Sequence, residues 1–177
     1  MRYSVETIRS VAAPEFLFFW GHQPSRDGQI IKTCMSQWWP ASFSEDGLTY
    51  KTAEHYMMAG KAKLFGDDDI LQKILGKDSP KDVKDLGRQI RNFDAGIWDA
   101  AKFGIVKHGN LLKFSQNKEL KDFLLKTGNK ILVEASPVDR VWGIGFAEDH
   151  QYASDPENWR GENLLGFALM EVRDELN

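Results

Sequence analysis

The sequence predicts an α+β fold, mainly helical, in one domain spanning residues 1–177 with a small β-sheet. Three observations predict it. From Thr52 to Gly128 apolar residues recur at three- and four-residue steps between capping residues and glycines. The first fifty residues and the stretch after Gly128 instead carry short aromatic or β-branched runs between turn formers. No repeat, low-complexity tract or linker divides the chain, and 177 residues at 42% hydrophobic and 28% charged suffice for one core.

The elements follow in order. Phe16–Trp20, Gln29–Thr33 and Ser42-Phe43 read as short strands joined by loops rich in Gly and Pro. Thr52 caps a helix carrying Ala53, Met57 and Leu64 and stopping at Gly66. Asp67, Asp68 and Asp69 suit the positive start of the next helix, whose stripe Ile70, Leu71, Ile74 and Leu75 ends at Gly76. Ser79-Pro80 opens a third helix to about Gln89, with Val83 and Leu86 inward. Asp94 opens the longest, reaching Ser115 on the stripe Trp98, Ala101, Ile105 and Leu112. Asn117 caps another that carries Leu120, Phe123 and Leu124 to Gly128. Lys130–Ala135 and Val141–Phe146 read as strands around the turn Ser136–Asp139. The polar stretch Ala147–Gly161 reads as a lid or binding loop, and Glu162–Leu176 as a closing helix burying Leu165, Ala168, Leu169, Val172 and Leu176.

Composition narrows the function. No apolar run reaches the roughly 20 residues of a membrane span, and no secretory cleavage pattern follows Phe16–Trp20, so a cytoplasmic protein without membrane association is expected. Cys34 has no second cysteine to pair with and reads as a buried small hydrophobe. Four scattered histidines offer no zinc spacing, so neither metal nor cofactor is expected. A net charge of −3 argues against holding nucleic acid over a broad surface and favours a small substrate. The basic series Lys102, Lys107, His108, Lys113, Lys118, Lys121, Lys126 and Lys130 alternates with core-spaced residues and reads as the wet face of two helices.

One pair of residues suggests chemistry. Glu54 and Lys61 stand seven apart on the first long helix, within roughly 20° of one face. At 1.5 Å per residue they are about 10.5 Å apart along the axis, too far for a routine ion pair but suited to converging on a sugar. Two solvated charges are the plainer reading of such spacing. Breaking an N-glycosidic bond builds positive charge at the ribose C1 and negative charge on the departing base, so it calls for a carboxylate near C1 and a donor near the base. Glu54, in a first helical turn, fits the carboxylate. Lys61 fits either a phosphate contact or a Schiff-base amine, and spacing does not choose between them. Elsewhere Trp142, beside Gly143 and Gly145, suits base stacking or a core, and Asp139 suits a turn as well as chemistry. Asn163 suits a ribose hydroxyl or a first-turn polar position, and Arg88 suits a phosphate.

The order of these segments resembles the YbiA-like family, also called the NADAR superfamily, over about Phe18 to Glu175. The resemblance is carried by Thr52-Ala-Glu54-His55-Tyr56 with Lys61 beyond, Leu86-Gly87-Arg88, Lys113-Phe114, Leu125-Lys-Thr-Gly128 and Leu132–Pro137. It continues through Asp139-Arg-Val-Trp142-Gly143-Ile-Gly145 and Gly161-Glu-Asn163-Leu-Leu165-Gly166. It implies an N-glycosidase: members hydrolyse phosphoribosylated aminopyrimidine intermediates of riboflavin biosynthesis, and others remove ADP-ribose from guanine. By position it assigns Glu54, Lys61 and Asp139 to catalysis, and Trp142, Gly143, Asn163, Arg88 and Trp38 to substrate binding. Where many members have Ser-Asn-aromatic before a proline, this chain has Ser36-Gln37-Trp38-Trp39-Pro40. The substrate implied is a small phosphoribosyl or ADP-ribosyl compound, with nucleic acid a partner only as a modified substrate. A non-catalytic module binding NAD or ADP-ribose would use Trp142 and Arg88 but not an acid and an amine aligned on one helix.

Overall fold

A computed structural model describes all residues, 1–177. The fold is α+β and mainly helical, with seven helices and two small two-stranded sheets. Backbone contacts group the chain into two compact units, residues 1–36 with 118–177, and residues 37–117. No helix is long and apolar enough to cross a membrane.

In the first unit, α1 (Val5–Arg9) begins at a capping box in which Ser4 and Thr7 satisfy each other's backbone N–H groups. β1 (Phe16–Phe19) pairs in parallel with β4 (Ile131–Glu134), Phe16 opposite Ile131. Ile131, Leu132 and Val133 are all buried, as expected of a parallel strand covered on both faces. α6 (Lys118–Lys126) and α7 (Leu164–Leu176) pack together, and α7 lies on β4. Every residue of α7 from Leu164 to Arg173 is buried, so this helix has no wet face over that length. The Arg173 guanidinium is held by the Thr127 hydroxyl and the Lys130 carbonyl, each at 2.8 Å.

In the second unit, β2 (Phe43–Glu45) and β3 (Leu48–Tyr50) form an antiparallel hairpin. Asp46 and Gly47 turn it, both at positive φ, which a two-residue turn of this hand requires. α2 (Ala53–Leu64) packs against α3 (Asp68–Leu75), α4 (Pro80–Gly87) and α5 (Ala95–Gln116). Small residues let these helices close up. A Cβ on Gly60 would meet Ile105 at 2.7 Å, one on Gly109 would meet Tyr56 at 2.5 Å, and one on Gly87 would meet Met58 Sδ at 2.0 Å. Thr52, Ser79 and Asp94 cap α2, α4 and α5 through their side chains, as the sequence predicts, and Asp67, expected there only for its charge, caps α3 in the same way.

Four expectations are corrected. Val141–Phe146 is not a strand: Asp139 gathers the next backbone N–H groups into a turn, and Gly145 at φ +72 takes the chain out of the extended region. Gln29–Thr33 is not a strand either, and Lys32–Met35 is instead a single 3-10 turn. The buried stripe of α5 is Val106, Gly109, Asn110, Lys113 and Phe114, while Trp98, Ala101, Ile105 and Leu112 are only half-buried. Lys113 therefore leaves the solvated series: it is fully buried. Cys34 is buried as expected.

Candidate functional site

Thr52 Oγ1 accepts from the backbone N–H of His55 at 3.3 Å and lies 2.8 Å from His55 Nδ1. His55 Nε2 lies 3.2 Å from the Lys77 carbonyl, which only accepts, so Nε2 carries the proton and Nδ1 accepts from the threonine. Burial holds the imidazole pKa below its ordinary value, and the ring is neutral. Glu54 is next in the chain and only 4% exposed, and its N–H donates to the Gln37 carbonyl at 2.9 Å. Gln37 also accepts from Asn110 Nδ2 at 2.7 Å, so the residue at the family's asparagine position is used in tying the start of α2 to α5. Its neighbour Trp38 is half-buried, with the Lys84 ammonium 5.8 Å from its ring centre.

Two turns along α2, Lys61 is half-buried, and its Nζ donates to the Gly87 carbonyl at 2.8 Å. The same Nζ lies 4.3 Å from the ring centre of Phe93 and 5.5 Å from that of Trp98. No carboxylate stands within ion-pair distance, and burial lowers the amine's pKa from its ordinary value. Arg88, next to Gly87, points outward and pairs with Asp85 at 2.7 Å. A guanidinium 70% exposed in such a pair is loosely held and open to an anion.

In the other unit the structure gathers Asp139, Trp142, Gly143 and Asn163. Asp139 Oδ1 accepts from the N–H groups of Val141 and Trp142 at 2.9 and 2.8 Å. The carbonyls of Trp142 and Gly143 accept from Leu165 and Asn163, which fixes this loop to the start of α7. Gly143 is required there, since a Cβ would stand 2.8 Å from the Glu134 carbonyl. Asn163 is fully buried in the left-handed region, φ +53, and both ends of its amide go to β4: Oδ1 accepts from Glu134 N–H, and Nδ2 donates to the Leu132 carbonyl, each at 2.9 Å. Trp142 remains half-buried.

Sequence reasoning missed the surroundings of Lys61. Gly87 appears only as part of a motif, Trp98 only as core, and Phe93 not at all. No local pattern reveals an aromatic that reaches back to a lysine more than thirty positions earlier.

Comparison with known proteins agrees with this architecture. The NADAR domain family matches residues 18–177. N-glycosidase R617 of Acanthamoeba polyphaga mimivirus is 47% identical over 91% of this chain and 96% of its own length. N-glycosidase Npun_R5314 of Nostoc punctiforme is 33% identical over 81% of this chain and 85% of its own. The NMR structure of the E. coli protein YbiA shares 27% identity and superposes with a TM-score of 0.73, covering 97% of this chain and 90% of that one. With a buried carboxylate and a sheltered amine on one helix of a chain so matched, the protein belongs to the NADAR domain family.

Proposed function

We propose that this protein hydrolyses the base–ribose bond of phosphoribosylated aminopyrimidines, the intermediates of riboflavin biosynthesis, with Lys61 as the nucleophile. The reaction class is that of N-glycosidase relatives which the chain matches over nearly their whole length. The observation that carries the reading is the state of Lys61: an amine partly out of water, with a carbonyl for its partner and no carboxylate to hold it charged. A lysine whose pKa burial lowers yields its free amine more readily than a solvated one, which is what attack on a sugar carbon requires.

In the reaction the Nζ lone pair forms a bond to C1 of the ribose as the glycosidic C–N bond breaks, and the base departs with the bonding pair and takes up a proton. The ring C–O bond then opens, its oxygen taking the proton from Nζ, to leave a Schiff base. Water adds to C1, and the C–N bond breaks to return the amine and ribose 5-phosphate. Glu54 is assigned the positive charge that develops at C1 and the activation of that water. The first turn of a helix is where the backbone dipole favours an anion. Arg88 is assigned the phosphate. The net charge of −3 favours this small substrate over ADP-ribosylated nucleic acid.

The test is base release, followed by chromatography, from the phosphoribosylaminopyrimidine and from ADP-ribosylated guanosine. Turnover of the first is expected, with Glu54→Gln at least a hundredfold slower in kcat. Turnover of the guanosine alone would move the chain to the other substrate class, and binding without turnover of either would make it a binding module.

A further inference from the structure

We infer that Phe93 and Trp98 are positioning residues for the Lys61 amine, forming with the Gly87 carbonyl a clamp that holds Nζ in one place and away from bulk water. The inference rests on the reading of Lys61 as nucleophile, and it adds residues that the acid–amine pair does not include.

The clamp has three sides. The Gly87 carbonyl, at the last residue of α4, accepts the amine's hydrogen bond, and close packing of Gly87 on Met58 brings α4 near enough to α2 for that reach. Trp98 comes from the first turns of α5 and Phe93 from the loop before it. That loop is fixed. Asp67, whose side chain is buried, accepts from the Arg91 backbone N–H at 2.9 Å and from the guanidinium at 2.6 and 3.1 Å, and Asn92 turns the chain at φ +57. Phe93 then meets Phe65 edge-on with centres 5.3 Å apart, while the residue remains 47% exposed. A half-exposed phenylalanine gains little from burial, whereas a ring centre 4.3 Å from Nζ packs against the end of the lysine side chain and limits its rotamers.

Substitutions that keep bulk but remove the ring test this. Phe93→Leu and Trp98→Leu are compared with Phe93→Tyr and the unsubstituted protein in two ways. Labelling of Lys61 by pyridoxal 5′-phosphate and borohydride, quantified on the Lys61 peptide by mass spectrometry, reads access to the amine. Steady-state turnover of the phosphoribosylaminopyrimidine reads catalysis. The clamp predicts at least threefold faster labelling in both leucine variants, a fall in kcat of about tenfold with KM within about twofold, and near wild-type behaviour for Phe93→Tyr. Labelling at the wild-type rate in both leucine variants overturns it whether or not the protein turns over, and so does unchanged kcat in an active enzyme. If the unsubstituted protein releases no base from either substrate while the leucine variants label faster, the proposed reaction fails and the clamp stands.

Discussion

At the scale of the residue, what matters is where each polar atom is spent. His55 and Asn163 both lie in motifs that carry the family resemblance, and both are fully committed inside the protein. His55 stays neutral in the fold because burial holds its pKa below 6.5, whereas the unfolded chain takes up the proton near that value. The unfolded state therefore binds more protons as pH falls through about 6.5, and the stabilisation present above that pH is lost toward the lower folded pKa. Thermal midpoints measured across this window should fall less steeply for His55→Gln than for the unsubstituted protein. Parallel slopes would show that His55 does not titrate differently in the two states. Asn163→Ala removes the partners of one N–H and one C=O on β4. At about 1–3 kcal/mol for each buried group left unsatisfied, it should lower the melting midpoint by about 5 °C or more. An unchanged midpoint with a raised KM would return Asn163 to substrate binding. Its spacing alone did not reveal this: a polar residue before a helix is legible as a cap or a ligand, but the strand it reaches lies thirty positions away.

Elements were legible where caps and periodicity agreed. The four side-chain caps from Thr52 to Asp94 are local chemistry, so the starts of α2 to α5 could be read directly from the sequence. The hairpin had an equally local signal in Asp46-Gly47, which reading Ser42-Phe43 as an isolated strand passes over. Val141–Phe146 looked extended because Val, Trp, Ile and Phe favour strands, yet its glycines and Asp139 fold it into a loop. Which face of α5 is buried was not legible, since apolar or small residues recur on every side of that helix; close approach of Tyr56 to Gly109 selects the face. Close approach also supplies a prediction. A Cβ on Gly166 would stand 2.1 Å from the Leu132 carbonyl and 2.5 and 2.6 Å from the Asn163 amide nitrogen and oxygen. Gly166→Ala should therefore destabilise by about 1–3 kcal/mol or more, read as a lowered denaturant midpoint. Gly104, with open space around it, should tolerate alanine and serves as the control.

At the scale of the whole molecule, sequence order did what no single residue could. Glu54 and Lys61 alone were compatible with two solvated charges; the structure removes that reading, since the first is buried and the second is half-buried, with its Nζ on a carbonyl and near two rings. The most direct measurement is borohydride trapping during turnover of the phosphoribosylaminopyrimidine, followed by peptide mass spectrometry. A reduced ribose phosphate adduct on Lys61 is expected, absent in Lys61→Arg and absent without substrate. Base release at full rate by Lys61→Arg, with no adduct trapped on the unsubstituted protein, would contradict it.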